Sequence, residues 1–302
     1  MNASVARRRF KKYSFFYLLA APGIVYFILF HYAPMWGLLL SFQEFSPYLG
    51  FWKSPWVGFD HYVRFFSNRS FTQLLSNTLM LSFYNLIFYF PFTIFLALLL
   101  NEVRWSIYRR VSQTVLYLPH FVSWVIIGGM TVTFFGPSGI INHYLEGWFG
   151  VDVPFLMSNE WFRPMMVLQT IWKDAGWGTI IFLAALSGIN PELYEAAKVD
   201  GAGRLRSIWH IALPGVRSTI VILLLLRLGN SLDSNFLQIF LMTNNLNIDV
   251  SDVFDLYVYR VGLLQGSWSF ATAVGLFKSL ASIILVTAAN YVAKLLGEDG
   301  IF

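Results

Sequence analysis

Residues 74–100 read LLSNTLMLSFYNLIFYFPFTIFLALLL, and this stretch decides the fold class. No charged residue occurs between Thr72 and Asn101. A helix that crosses a bilayer needs roughly 20 mostly apolar residues, whereas a strand of a membrane barrel needs about 10 with alternating polarity. Because the bilayer core offers no water to the backbone, helices and closed barrels are the structures that span it. The stretch therefore predicts a membrane-spanning helix.

The composition of the whole chain agrees with a membrane protein. Of its 302 residues, 57% are hydrophobic and only 12% are charged. Soluble globular domains carry about 25% charged residues, so a soluble fold of this size is excluded. The chain contains no cysteine, which excludes disulfides and cysteine-based metal sites. We predict an all-α integral membrane protein.

Six spans are expected, and residues 74–100 form the second. The fourth carries Lys173 and Asp174, the fifth carries Arg227 and Asp233, and the sixth carries Lys278. The apolar stretch after the N-terminal RRRFKK is too long for the 7–15-residue apolar region of a signal peptide. This stretch is therefore interpreted as an uncleaved first span. Residues 1–302 are predicted to form one membrane domain, with a basic interfacial segment at 1–13 and a loop at 190–214. The other five spans are placed at about Ser14–Phe42, Val115–Phe135, Pro164–Ile189, Gly215–Met242 and Phe270–Val292.

The basic residues predict the orientation, because lysine and arginine are enriched in cytoplasmic loops. With the N-terminus inside, thirteen basic residues lie in inside segments and five in outside segments. Both termini and the loop at 190–214 are therefore predicted to be cytoplasmic, on the side where ATP is available. The outside residues are Lys53, Arg64, Arg69, Arg163 and Arg260. The inside residues are Arg7, Arg8, Arg9, Lys11, Lys12, Arg104, Arg109, Arg110, Lys198, Arg204, Arg206, Arg217 and Lys294.

The loop at 190–214 carries its own helix signals. Asn190 is a favourable N-cap for a helix whose first residue is Pro191. Gly201 can adopt backbone angles that a side chain would resist, so the helix can end and turn there. A second helical piece is expected from about Arg204 to Pro214. On composition alone, this remains an ordinary cytoplasmic loop that contains a helix.

The same loop reads EAAKVDGAGRLRSIWHIALP from Glu195, and this segment resembles the EAA loop of ATP-binding-cassette (ABC) importer permeases. The family pattern is EAA, three residues, Gly, nine residues and Ile-x-Leu-Pro. The resemblance implies that the segment is a coupling helix that docks on an ATP-hydrolysing subunit. The chain has no G-x-x-x-x-G-K-[ST] phosphate-binding loop, so ATP and magnesium would be used by that partner. The matching residues are Glu195, Ala196, Ala197, Gly201, Ile211, Leu213 and Pro214.

Four further stretches resemble the LplB-like branch of the sugar-type permeases, which is similar to a subunit of the alginate importer. They are LLAAPGIVYFILFHYAPMWGLLLSFQEF near the N-terminus, YLPHFVSWV at Tyr117–Val125, DLYVYRVGL at Asp255–Leu263 and ATAVGLFKS at Ala271–Ser279. The resemblance implies import of oligosaccharides or polysaccharide fragments across a bacterial cell membrane. It also implies three kinds of partner: a second homologous permease in a heterodimer, two ATPase subunits and an extracytoplasmic solute-binding protein.

Polar residues within the spans are the candidate substrate pathway, because ionisable groups in a bilayer usually face a cavity or the protein interior. Positions 227, 230, 231 and 234 have helical spacing and predict one polar stripe. Arg227 and Lys278 on the pathway would suit an acidic saccharide. Equally, Arg227 and Asp233 can form structural pairs between spans. The pathway candidates are Arg227, Asn230, Ser231, Asp233, Ser234 and Lys278, with the aromatic residues Trp172, Tyr84 and Tyr89.

The sequence lacks the patterns of an enzyme. It has no H-E-x-x-H motif, no nucleophile motif and no paired carboxylates, so no catalytic residue, metal site, bound cofactor or nucleic-acid partner is predicted. His31 and His120 are interpreted as packed histidines. An ion-coupled secondary transporter for a small polar solute is the alternative function, although it would be expected to show buried carboxylates, broken helices and repeated halves. An intramembrane enzyme is a third possibility that the missing motifs disfavour.

Overall fold

The computed structural model describes residues 13–295, 297 and 300. These residues form helices joined by short turns, with one isolated bridge between Gln43 and Trp56. The all-α class is confirmed. The predicted basic segment at 1–13 lies outside the described residues, apart from Tyr13.

Four helical stretches of the described chain, hereafter rods, are long and apolar enough to cross a membrane, although the third has irregular residues at 136–139. The first, Ser14–Phe42, has the predicted bounds and is followed by Arg69–Glu102, Trp124–Phe149 and Trp268–Leu295. The second and last contain the predicted second and sixth spans. A bent helix pair provides a fifth candidate. The number of six spans stays a prediction.

The predicted third span, Val115–Phe135, is interrupted. A helix at Ser106–Tyr117 passes into one 3-10 turn at Leu118–Phe121, and a new helix runs over Trp124–Phe135. Pro119 lies in the turn, where its missing N–H weakens the helical hydrogen-bond pattern. The Ser123 hydroxyl then caps the new helix by accepting from the Ile126 N–H.

The region predicted as the fourth span is one helix of 29 residues, Asn159–Ser187. It is long enough to span a bilayer but is not among the four most apolar rods. Lys173 and Asp174 lie near its middle and lower its mean hydropathy. It packs extensively on the helix Phe90–Glu102, which places it at the centre of the fold.

The predicted fifth span, Gly215–Met242, is wrong as one continuous helix. The chain bends by 60° between Arg204–Gly215 and Arg217–Gly229. The helix then ends at Gly229, residues 230–235 are irregular, and a short helix follows at Phe236–Met242. Asparagine, serine and aspartate dominate residues 230–235, and these residues favour caps and turns because their side chains compete for backbone hydrogen bonds.

Three buried clusters hold the described bundle together. One joins the helix Phe90–Glu102 to the C-terminal half of Asn159–Ser187 and to Ala212 and Val216. A second surrounds Phe65, where the short helix Asp60–Phe66 meets the last rod. The third connects the N-terminal half of Asn159–Ser187 with Phe236–Met242. The last two clusters also include residues of the 248–264 segment, which is formed by Ile248–Ser251, Phe254–Val258 and a π-helical turn at Tyr259–Leu264.

A buried amide pair fixes the short helix Phe236–Met242 against the centre of the bundle. The Gln238 amide donates to the carbonyl of Met166 at 2.9 Å and to the side-chain oxygen of Gln169 at 3.0 Å. Gln169 in turn donates to the Thr131 hydroxyl at 2.8 Å. These contacts satisfy polar groups that would otherwise be buried without partners.

Gln238→Leu is therefore expected to destabilise the protein by about 1–3 kcal/mol, since a buried acceptor loses its donor. The measurement is thermal unfolding in detergent, followed by the loss of monodisperse protein on gel filtration. Gln238→Glu is unsuitable as a control because it introduces a charge at a buried position. The matched control is Gln73→Leu, because the Gln73 amide makes an exposed hydrogen bond. Equal melting temperatures for Gln238→Leu and Gln73→Leu would contradict this role.

Candidate transport site: a polar cavity and a coupling segment

The irregular residues 230–235 border a polar cavity of about 160 Å³. The cavity lies between the helix Arg69–Tyr84, the long helix Asn159–Ser187 and the interrupted fifth element. Its wall includes five of the predicted pathway residues. The lining residues are Thr78, Leu81, Ser82, Asn85, Met166, Thr170, Asp174, Arg227, Asn230, Ser231, Asp233, Ser234, Asn235, Gln238 and Ile239.

The predicted helical stripe is wrong in its geometry, because residues 230–235 are not helical. The polar side chains meet at the cavity through an unwound stretch instead. Irregular backbone is tolerated at membrane depth where it is buried in protein or lines a water-filled cavity. The stretch is anchored by the Ser234 N–H, which donates to the Asp255 carboxylate at 3.0 Å.

Arg227 lies at the cavity wall with its guanidinium 4.4 Å from the centre of the Tyr89 ring. Tyr89 is buried, and its hydroxyl donates to the backbone oxygen of Asp174 at 3.3 Å. A cation over an aromatic face gains electrostatic attraction from the ring quadrupole. Tyr89 therefore supports Arg227 and does not offer this ring face to a sugar. The structural pair between spans that was considered for Arg227 is not formed as an ion pair among the described residues.

Lys278 does not line the polar cavity as a free cation. Its ammonium contacts Asp233 at 2.6 Å and also pairs with Asp255. The lysine side chain is 12% exposed, the Asp255 side chain 24% and the Asp233 side chain 60%. This ion triad joins the unwound stretch, the 248–264 segment and the last rod. The interpretation of Asp233 as a structural pair between spans is confirmed, with Lys278 as its partner.

Lys278→Met is expected to lower the stability of the protein by about 2–4 kcal/mol, because Asp255 then keeps a partly buried charge without its cation. Thermal unfolding in detergent measures the loss. The double variant Lys278→Met with Asp255→Asn removes both charges and should recover most of the stability. The Asp233 contact adds little, since that carboxylate is largely exposed and screened. A double variant less stable than Lys278→Met would contradict the triad.

Two predicted aromatic residues lie away from the polar cavity. Trp172 borders an apolar groove between the helix Trp124–Phe135 and the long helix. Tyr84 lines a different groove beside Arg163 and Pro164. The cavity also contains Asp174, Asn85 and Gln238, which the sequence analysis did not select. The Asp174 side chain bonds to His120 at 2.8 Å, so the packed interpretation of His120 is confirmed.

The segment at 190–214 has the local structure that its capping residues predict. Asn190 accepts a hydrogen bond from the Glu192 N–H at 3.0 Å and caps the helix Pro191–Val199. Gly201 has φ +74° and turns the chain. The next helix begins at Arg204, passes through a π-helical turn at Ile208–Ala212 and reaches Gly215.

The two ends of the EAA motif have different environments. Glu195 and Ala196 are exposed, and the helix Pro191–Val199 buries none of its residues. Ile211 and Leu213 are partly buried beside the fully buried Ala212. Large apolar side chains around the turn remain in solvent. These residues, missed by the sequence analysis, are Leu193 (52% exposed), Val199 (88%), Leu205 (75%) and Trp209 (68%).

Two ionisable side chains outside the spans, those of Tyr194 and Asp252, have a raised pKa. Burial raises the pKa of the Tyr194 phenol, and the nearby Glu102 carboxylate adds to the shift. The Tyr194 hydroxyl has no hydrogen-bond partner in the described part of the chain. In the 248–264 segment, burial raises the pKa of the Asp252 carboxyl, while the Arg260 guanidinium opposes that shift. The backbone oxygen of Asp252 accepts a hydrogen bond from the Asn77 amide, which connects this segment to the helix Arg69–Tyr84.

Comparison with known proteins identifies the family. Residues 69–298 match the family described as the binding-protein-dependent transport system inner membrane component. The chain belongs to this family. The prediction of an importer permease is confirmed, and the permease is a transport component and not a catalytic subunit. The ion-coupled alternative is not supported.

The permease is similar to two proteins of Bacillus subtilis (strain 168). It is 54% identical to Protein LplB over 97% of this chain and 92% of that protein. It is 48% identical to the polygalacturonan/rhamnogalacturonan transport system permease protein YteP, over 95% of this chain and 90% of that protein. The predicted LplB-like branch is thereby confirmed.

Two solved structures have the same fold as this permease. One is a bacterial alginate ABC transporter in complex with an alginate pentasaccharide-bound periplasmic protein. The similarity has a TM-score of 0.89 at 39% identity and covers 97% of this chain and 99% of that chain. The other is a bacterial ABC transporter involved in the import of the acidic polysaccharide alginate, with a TM-score of 0.89 at 40% identity. It covers 96% of this chain and 98% of that chain.

Proposed function

We propose that this permease translocates oligosaccharides, including acidic polysaccharide fragments, across a bacterial cell membrane in an ATP-driven importer. The observation that carries the proposal is the polar cavity at the unwound stretch 230–235. Its amide, hydroxyl and guanidinium groups provide hydrogen bonds for a hydroxyl-rich solute. The names of the similar permease and of the similar transporters, which concern polygalacturonan, rhamnogalacturonan and alginate, support this substrate class.

Arg227 is the residue proposed to select acidic sugars. No ion pair of Arg227 occurs among the described residues, and the Tyr89 ring holds its guanidinium at the cavity wall. The cavity carboxylates are occupied, since Asp174 bonds to His120 and Asp233 bonds to Lys278. A guanidinium that lacks a carboxylate partner is available to bind the carboxylate of a uronic acid in a bidentate manner. Lys278 is not assigned this role, because the carboxylates of Asp233 and Asp255 already pair with its ammonium.

The segment at 190–214 is proposed to couple transport to ATP hydrolysis on a partner subunit. Glu195, Ala196 and Ala197 would face the ATPase, and Gly201 would form the bend. Support comes from the exposed apolar side chains around the turn, which resemble an uncovered docking surface. Ile211, Leu213 and Pro214 would join the docking helix to the buried Ala212 and Val216, so that motion of the helix reaches the bundle.

The proposed assembly contains this permease, a second homologous permease, two ATPase subunits and an extracytoplasmic solute-binding protein. The basic-residue count supports cytoplasmic termini and a cytoplasmic coupling segment. ATP and magnesium would be bound by the ATPase subunits. Transport would proceed by alternating access of the cavity to the two sides of the membrane.

The ATPase activity of the purified complex tests this proposal. Solute-binding protein loaded with an oligosaccharide should stimulate hydrolysis above the level seen with unloaded binding protein. Uronic-acid oligosaccharides and neutral oligosaccharides are compared at equal occupancy of the binding protein. A complex that assembles but gives the same hydrolysis rate with loaded and unloaded binding protein would overturn the proposal.

A further inference from the structure

The helix pair at Ser106–Tyr117 and Trp124–Phe135 is interrupted by residues 118–123, hereafter the break. An interruption of this kind leaves backbone carbonyls without helical hydrogen-bond partners. An unsatisfied carbonyl raises the free energy of the fold where no water can reach it. The long helix Asn159–Ser187 lies against the break. Lys173, Asp174 and Trp177 of this helix contact the break, and Gly176 approaches Leu116 just before it.

Lys173 satisfies the carbonyls of the break. Its ammonium donates to the backbone oxygens of His120 and Val122, each at 2.6 Å. The residue is 7% exposed, and the ammonium also lies 5.5 Å from the centre of the Trp124 ring. A buried ammonium is costly unless it is fully bonded. The lysine and the break therefore stabilise each other.

Asp174 connects the same break to the polar cavity. Its carboxylate bonds to His120 at 2.8 Å, and the residue also lines the cavity. His120 stacks on Trp177, with ring centres 4.4 Å apart and planes inclined by 6°. The imidazole is thus held by a carboxylate on one edge and by an indole on one face.

Gly176 brings the two helices into direct backbone contact. A Cβ atom at this position would collide with the backbone carbonyl of Leu116, which a flexible side chain cannot relieve. The close approach keeps Lys173 and Asp174 within reach of the break. Gly129, in the helix after the break, has open space around its Cβ position and provides a matched control.

We propose that Lys173 and Asp174 are positioning residues that fix the geometry of the break and transmit substrate occupancy of the cavity to the helix Ser106–Tyr117. The inference rests on the proposed function, because it assigns these residues a task within that transport cycle. Lys173 sets the angle between the two helices. Asp174 and His120 connect that angle to the cavity wall.

The first test measures ATPase activity of the assembled complex with and without substrate-loaded binding protein. Lys173→Met removes both hydrogen bonds to the carbonyls of the break, and the ratio of stimulated to basal activity should fall by about tenfold or more, since each of these bonds involves a charged donor. Lys173→Arg retains a cationic donor and should recover part of the ratio. Gly176→Ala should lower the ratio, whereas Gly129→Ala should not. An unchanged ratio in both Lys173→Met and Gly176→Ala would overturn the inference.

The second test needs no substrate and measures the break itself. Because the chain has no native cysteine, spin labels can be placed at Val115→Cys and Val125→Cys, whose side chains are exposed on either side of the break. The distance distribution should be narrow in the otherwise unmodified complex, broader with Lys173→Met and narrow again with Lys173→Arg. An equally narrow distribution with Lys173→Met would overturn the inference. In the first test, by contrast, an unmodified complex whose ATPase activity is not stimulated by loaded binding protein would refute the proposed function.

Discussion

Gly201→Val is expected to abolish uptake while leaving the affinity of the solute-binding protein for its sugar unchanged. Gly201 has φ +74°, and a residue other than glycine held in such a region costs roughly 1–3 kcal/mol. Apart from Gly201 and its two chain neighbours, no heavy atom of the described residues lies within 4 Å of the position that a Cβ would occupy. The effect would therefore come from the backbone of the turn. A displaced turn moves the exposed helix Pro191–Val199 away from the proposed ATPase surface.

The control for this substitution lies two residues further along the chain. Gly203 has φ −74°, which any residue adopts, and it also has open space at its Cβ position. Gly203→Val should retain uptake. Glu195→Lys provides an independent test, because it reverses the charge of an exposed side chain in the helix Pro191–Val199, which is proposed to dock on the ATPase. Radiolabelled oligosaccharide uptake measures all three variants, and wild-type uptake by Gly201→Val would contradict the coupling role.

Arg227→Gln is expected to reduce uptake of uronic-acid oligosaccharides by about tenfold to a hundredfold, with much less effect on neutral ones. The estimate follows from the loss of a charged hydrogen bond of roughly 1.5–3 kcal/mol. The measurement is competition between acidic and neutral oligosaccharides of equal length in one uptake assay. This comparison isolates charge recognition, since a general defect in folding or coupling would reduce both.

Tyr89→Phe is the companion variant for Arg227. It retains the ring beneath the guanidinium but removes the hydroxyl that donates to the Asp174 carbonyl. Selectivity for acidic sugars should therefore persist. Equal losses of acidic and neutral uptake in Arg227→Gln would show that Arg227 has a structural role and does not read the charge of the sugar.

Local signals predicted the helix and the turn of the segment at 190–214 well. The cap at Asn190, the proline at the next position and the glycine at 201 all act within a few residues of the chain. The structure accordingly places a helix at Pro191–Val199 and a positive φ at Gly201. The long apolar rods were also predictable, because their length and lack of charge follow directly from the thickness of the bilayer.

The interruption of the fifth element was not predicted, although its signal was present. Asn230, Ser231, Asp233, Ser234 and Asn235 have helical spacing in part, but all are poor helix formers. Their spacing favours a helical stripe, whereas their propensity favours a break. At this cavity wall the propensity prevails, and the Asp255 carboxylate satisfies the freed Ser234 N–H.

The ion-pair partners of the charged residues could not be predicted from local sequence patterns. Lys278 and Asp255 are separated by 23 residues, and His120 and Asp174 by 54. Nothing in the spacing of such residues indicates which charges meet after folding. Lys278 and Arg227 therefore looked equivalent in sequence, whereas the structure neutralises Lys278 with two carboxylates and leaves Arg227 over an aromatic ring.

The most direct test of the central claim is oligosaccharide uptake into proteoliposomes that contain the complete complex. Uptake should require ATP and the solute-binding protein, should be blocked by vanadate and should cease when the partner ATPase is inactivated. It should be unaffected by collapsing ion gradients. Uptake that persists with an inactive ATPase and follows an imposed ion gradient would contradict the account.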